Sequence, residues 1–280
     1  MESFTIKIVE AMDIPKDYEA DFLRAIADKI GLQFPYDSIF TERLSKDNLD
    51  KNWLGIAKLL KPDVTEDEEL SKKAENTRKM WSKEICPKLK ELGFSYEEGA
   101  KKFWVEARQW LAEKKFGPWL WEQLTQKAQK TDQMGVRDPR GGDDLGMVPK
   151  NNYLDKVTLN REVIFELQLP QPGHLTLLER EPNGTVVCLC PSHFARKSQF
   201  TQENRVILPQ PNNSLKVFRP NELGTEQLLA LLTRESPGFD WLEKSRQEAM
   251  PLQPSQLQQM FEYVKQKPHA RLLYTEYQVV

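Results

Sequence analysis

The densest group of reactive side chains is Cys188-Leu189-Cys190-Pro191-Ser192-His193. On an extended strand, residues 188 and 190 share a face, and His193 can fold back past the proline. Thiolates with an imidazole are zinc ligands. A structural zinc site, however, usually spaces its cysteines by about two to four residues and needs a fourth ligand, for which His174 across a hairpin is the candidate. The same segment offers Cys190 or Ser192 as a nucleophile, with His193 or His174 as base. No G-x-S-x-G elbow surrounds Ser192, and the chain holds only three histidines. Two small cysteines buried in a β core is the simpler reading. Gly141-Gly142 has no following Lys-Ser/Thr pair and no preceding strand, so it is not a phosphate loop. These observations predict a protein that is not an enzyme, with no catalytic residue, metal or cofactor.

Binding chemistry has three further candidates. Residues 72–90 carry Lys72, Lys73, Arg78, Lys79, Lys83, Lys88 and Lys90 against Glu75 and Glu84, with Trp81 among them. Phosphate contacts and base stacking are one use of that pattern. The alternative is a helix with acids at its start and cations towards its end, which the helix dipole favours, and Trp81 on its apolar stripe. The second candidate is the group Trp104, Trp110, Trp119 and Trp121, read either as core or as interface anchors. The third is the pair Arg137 and Arg140 in a glycine-rich stretch, the kind of site that proteases cut.

The elements that must position these residues divide the chain. Residues 1–130 hold 23 basic and 24 acidic side chains, whereas residues 151–280 hold 14 of each. Six of seven tryptophans lie at or before Trp121, and eleven of eighteen prolines lie after residue 152. Dense charge with few prolines predicts helices; sparser charge with many prolines predicts short strands and turns. In the first half, Phe22, Ile26 and Ile30 repeat at helical spacing before Gly31. A second apolar face, Leu49 to Leu60, stops at Lys61-Pro62. Thr65-Glu66-Asp67-Glu68 and Ser95-Tyr96-Glu97-Glu98 are capping boxes. Pro87 predicts a kink or a new helix, and Gly93 a stop. Five to seven helices follow over residues 1–131.

Residues 132–152 read as a linker, with four glycines, two prolines and no period. Beyond it, Val157 to Leu169 alternates, with Arg161 as the break, and Leu175–Leu177 leads through Glu181-Pro182-Asn183-Gly184 to Thr185–Cys190 as a hairpin. Val206–Leu208, Leu215–Phe218 and the closing Leu273–Val279 are further strands; 239–249 and 255–267 read as helices. Glu226–Thr233 is open between helix and strand on its residues alone. The predicted fold class is α+β: an all-helical domain (1–131), a linker (132–152) and a β-sandwich with two inserted helices (153–280).

Whole-chain numbers bound the function. Forty Lys+Arg against forty-two Asp+Glu give a net charge of -2, which argues against a DNA-coating protein. The longest aliphatic run, Leu228–Leu232, is far short of the ~18 residues that a membrane span needs. Met1-Glu2-Ser3-Phe4 lacks the basic start of a secretory signal, and three cysteines suit a reducing compartment, so a cytoplasmic protein is expected.

Several short motifs in the second half carry a resemblance. Gly173-His174-Leu175-Thr176-Leu177-Leu178-Glu179-Arg180, Asn183-Gly184-Thr185-Val186 and Cys190-Pro191-Ser192 come in succession, followed by Ile207-Leu208-Pro209 and Gly224-Thr225-Glu226. Over about residues 157–235, this is similar to a bacterial domain of unknown function that accompanies caspase-like peptidases and kinases. Ala270–Val280 would be its closing strand, and the two helices before that strand have no counterpart in it. The resemblance implies an accessory, binding β-sandwich without catalytic residues, and makes Glu226–Thr233 a strand. It also implies a protein partner, a caspase-like peptidase among them, and cleavage at Arg137 or Arg140. The expectation is a bacterial adaptor or regulatory protein in a peptidase-linked stress or defence system. An effector activated by cleavage in the linker is the first alternative, and nucleic-acid binding through residues 72–90 the second.

Overall fold

The computed structural model describes residues 13–64, 66–96, 102–140, 153–169, 171–201 and 205–280. Helices dominate residues 16–127 and strands residues 129–280, an α+β fold. The chain forms two compact units, divided between Trp119 and Leu120.

The helical region contains α1 (Lys16–Lys29), α2 (Tyr36–Leu44), α3 (Trp53–Leu60), α4 (Asp67–Met80), α5 (Cys86–Glu91), α6 (Phe103–Lys114) and α7 (Phe116–Lys127), and the unit boundary falls within α7. Helix α1 buries Tyr18, Phe22, Leu23, Ile26 and Ala27, the stripe that the spacing predicts. It ends at Gly31, whose φ of +66° only glycine adopts without strain; there the Leu32 amide donates to the Ala27 carbonyl. Asn52 caps α3 by accepting from the Gly55 amide at 2.9 Å. Between α4 and α5, Trp81–Ile85 forms one π turn, and Pro87 sits in the first turn of α5. Proline cannot donate to the preceding turn, so the α ladder is interrupted and restarted at this point. Thr65, expected as a cap, lies outside the described residues, as do residues 97–101 of the second expected box.

The strand region contains β1 (Gln129–Lys130), β2 (Met134–Arg137), β3 (Lys156–Val157), β4 (Ile164–Gln168), β5 (Gly173–Arg180), β6 (Val186–Cys190), β7 (Gln199–Phe200), β8 (Arg205–Leu208), β9 (Gly224–Thr233) and β10 (Arg271–Val279). Seven strands make one sheet along the path β1-β10-β9-β5-β6, with β3 also on β10 and β7 also on β5. The other three make a sheet of order β2-β4-β8. Leu175, Leu177, Leu228, Ala230 and Leu273 of the large sheet and Met134, Val136, Phe165, Leu167, Val206 and Leu208 of the small one bury a common core. Helices α8 (Trp241–Ser245) and α9 (Pro254–Gln266) are inserted before β10 as predicted. Glu226–Thr233 is strand. The hairpin turn is also present, with Gly184 at φ +90° and its amide on the Glu181 carbonyl.

Three details differ from the sequence reading. Within the expected linker, Met134–Arg137 forms β2 on β4, and Gln129–Lys130, expected in the helical domain, forms β1 on β10, while residues 141–152 lie outside the described residues. Gly135 misled because it reads as flexibility. A Cβ there would lie 2.6 Å from Tyr153 Cγ, so the glycine is required for a ring to lie on the strand. The stretch Val157–Leu169 is two strands broken by a turn in which Asn160 adopts φ +61°. Of Leu215–Phe218, only Phe218 makes a β bridge, to Val163.

Candidate interaction edge

Among the described residues, every long strand edge in the β unit but that of β8 carries a partner strand or loop along part of its length. The second edge of β10 holds β1 and β3. The outer edge of β6 receives the Leu252 amide on the Val186 carbonyl, and that of β2 receives the Leu154 amide on the Val136 carbonyl. On β8, only the side facing β4 is paired among the described residues. The ladder shows which way the β8 groups face. Gln168 donates its amide to Gln133 on the β2 side, so by antiparallel alternation Phe165 and Leu167 bond towards β8, to Leu208 and Val206. Arg205 and Ile207 therefore turn their backbone N–H and C=O outward.

Beside that edge lies a groove of about 380 Å³ lined by Lys197, Phe200, Arg205, Ile207, Gln210 and Pro211, among others. Gln210 braces its far wall, accepting from the Lys197 amide and donating to the Lys197 carbonyl. On the solvent face of the small sheet, Glu166 of β4 is buried and accepts from Arg137 at 2.7 Å and from Arg205 Nε at 2.6 Å. The Tyr153 hydroxyl lies 3.4 Å from Glu166, and burial with that negative charge pushes its pKa up to about 12. These charge-assisted bonds fix the outer face next to the open edge.

The other candidates are placed as follows. Cys188 and Cys190 are buried thiols: Cys188 Sγ meets the Pro191 carbonyl at 3.4 Å, and Cys190 Sγ meets Leu175 O and Lys197 O at 3.7 Å. Burial pushes Cys188 up to about 12 and Cys190 well above its ordinary value, so neither is a thiolate at neutral pH. Ser192 bonds Leu189 O and the Phe194 amide, and His193 Nδ1 accepts from the Ala249 amide. Both serve a turn. His174 lines a separate cavity of about 180 Å³ with Ser198, Asp240, Glu243 and Arg246. Burial, then Arg246, lowers its pKa, favouring neutral imidazole. Among the described residues, no three His, Cys, Asp or Glu side chains gather to hold a metal ion.

Trp119 is buried against Phe22 and Phe116, and Trp121 is buried with its indole N–H on Gln227 Oε1 at 2.8 Å. Trp104 donates to Leu49 O and stacks on Arg43, and Trp110 lies against Phe94. Trp104 and Trp110 keep partial exposure; Trp119 and Trp121 present no surface. In the basic run, Lys72, Lys73, Arg78 and Lys79 pair with Glu68, Glu69 and Glu75, Lys88 caps the Ile30 carbonyl, and Trp81 is fully buried. The ring is thus core and cannot stack on a base. Arg137 is locked in β2 by Glu166, with its side chain 12% exposed, which corrects its reading as a site in an open tether. Arg140 is 78% exposed.

One cluster went unread in the sequence. Glu179, Glu226 and Tyr277 share the inner face of β5, β9 and β10, where the Tyr277 hydroxyl donates to Glu226 Oε2 and the two carboxyls share a hydrogen bond. Burial, then the neighbouring Glu226, raises Glu179 well above the usual carboxylate range, and burial raises Glu226. The signal was present: acids occupy inward positions in the alternations Leu175-Leu177-Glu179 and Glu226-Leu228-Ala230.

A two-sheet unit, preceded in the chain by helices, is the class that this geometry defines. Within it, a Domain of unknown function (DUF4384) is found at residues 156–236, the stretch that carries the resemblance. No curated protein matches the chain. A solved structure of the alkylpurine DNA glycosylase AlkC from Pseudomonas fluorescens, bound to DNA containing an abasic site analog, aligns at 13% identity and a TM-score of 0.18. The alignment covers 75% of this chain and 58% of that one, and carries no argument about fold or function. No helix among the described residues is long and apolar enough to cross a membrane.

Proposed function

We propose that this protein is a non-enzymatic adaptor or regulatory partner that captures an extended segment of another protein by adding it as a strand to β8. The β8 edge supports this reading: the outward N–H and C=O of Ile207 lie beside a groove large enough for side chains. Pro209, directly after Leu208, and the four-residue length of β8 limit the addition to one short segment, which disfavours open-ended aggregation. By its resemblance, the sandwich would work in a bacterial peptidase-linked stress or defence system, with a caspase-like peptidase as the partner.

A photo-crosslinking residue at Ile207, introduced in the native host, tests this reading. Crosslinks mapping to one extended segment of one protein are expected. They should vanish when Pro replaces Ile207 beside a crosslinker at Gln210, because proline removes the outward donor and no ladder bond. Crosslinks scattered over many proteins, or unaffected by Ile207→Pro, would contradict it. The second reading, an effector released by cleavage after Arg140, is favoured by the exposure of that side chain. The same preparation tests it, since processed chains would end at Arg140.

A further inference from the structure

We propose that the cavity between β5, the loop before α8 and α8 itself binds a small neutral polyol, the size of one sugar ring. The site shares no lining residue with the groove beside β8 and goes beyond the strand-addition reading. His174 and Thr176 lie two apart on β5 and so share a face, opposite the core face that carries Leu175. Both line the cavity of about 180 Å³, together with Ser198, Phe239, Asp240 and Arg246. Thr176 is 2% exposed, yet among the described residues its hydroxyl has no hydrogen-bond partner, and neither has the His174 imidazole. An unpaired buried hydroxyl is costly, and a ligand hydroxyl removes that cost. Ser198 Oγ accepts from Arg246 Nη2 at 3.3 Å, which leaves its own proton to donate. Arg246 is not a free charge: its Nε pairs with Glu243 at 3.2 Å and its Nη1 donates to the Arg196 carbonyl, so it positions Ser198.

The lining sets the ligand class. Two carboxylates, Asp240 and Glu243, against one guanidinium disfavour an anion. An ammonium ion only donates, whereas Thr176, Ser198 and a neutral His174 each offer a donor as well as an acceptor. Several hydroxyls in one molecule match these groups, and the C–H surface between them meets Phe239 and Leu242. Drug-sized pockets begin at about 300 Å³, so this volume limits the ligand to one ring.

NMR chemical-shift titration of the full chain with glucose, galactose, mannose and ribose tests the inference, with acetate and methylammonium as charged controls. At least one sugar is expected to bind in the millimolar range or tighter, and neither control. Thr176→Val keeps the side-chain shape without the hydroxyl and should weaken that sugar at least about fivefold. The same variant should leave the thermal midpoint unchanged or raise it, because the hydroxyl has no protein partner; a clear fall would show the hydroxyl bonded within the fold and overturn the inference. Asp240→Ala, at an exposed position, should also weaken the sugar while the fold is kept. Failure of all four sugars to bind at about 50 mM would overturn the inference. Sugar binding that survives both substitutions, or tighter binding of acetate or methylammonium than of any sugar, would do the same.

Discussion

Arg43 organises the helices around it. Its guanidinium is fully buried, lies 4.1 Å from the Trp104 ring and 5.4 Å from Trp53, and donates to the carbonyls of Asn48, Leu49 and Lys51. Burial lowers its pKa to about 10, which still leaves it charged at neutral pH. The planar fork satisfies three carbonyls beyond the end of α2, which an ammonium cannot reach in the same geometry. Arg43→Lys is therefore expected to cost about 3 kcal/mol in urea unfolding, as buried acceptors lose their donors. A loss below about 1 kcal/mol would mean that stacking and hydrogen bonding here are dispensable. Nothing at position 43 announces this role in the sequence. A charged residue in an exposed-looking segment becomes core only because Trp53 and Trp104, fifty-one residues apart, converge on it.

At the scale of elements, the inner face of β5-β9-β10 carries a pH dependence. The carboxyls of Glu179 and Glu226 are held above the usual range in the folded state, so the native protein keeps protons that the unfolded chain releases. The stability contributed by that proton is present below the unfolded carboxylate pKa and is lost as pH rises through the raised folded values. Raising pH from about 5 to 8 is therefore expected to destabilise this region. Glu179→Gln keeps a hydrogen-bonding amide and should flatten that slope in chemical denaturation. An unchanged slope would show that the pair does not share a proton. The neighbouring charges facing it, Glu181 and Glu222, are acidic too and reinforce the trend. Strand alternation made β5 and β10 legible in the sequence, because a half-buried strand repeats every two residues, whereas the apolar run of β9 fits helix or strand and only the resemblance made it a strand. The cost of placing acids on the apolar face emerges only from the register that brings them together.

Across the whole molecule, local signals reported local facts and missed distant ones. The helical first half, the hairpin at Asn183-Gly184, the two inserted helices and the closing strand were all written in period and turn chemistry. The division between the two units falls inside α7, one residue past its Gly117-Pro118 pair. The strand at Met134–Arg137 was hidden because its glycine answers to Tyr153, a residue beyond the sequence window in which flexibility is read. Strand addition at β8 was legible only as a general property of a sandwich. Which edge stays open depends on what backs the others: β1 and β3 on β10, Leu154 on β2 and Leu252 on β6.

Residue-resolved amide hydrogen exchange, with and without the segment that crosslinking at Ile207 recovers, measures the β8 edge directly. The Ile207 amide should exchange fast in the free protein and at least about tenfold more slowly in the complex, as its outward N–H gains an acceptor. Val206 and Leu208, already bonded to β4, should change less. Unchanged exchange at Ile207 in a saturated complex would contradict strand addition at β8 and the account built on it.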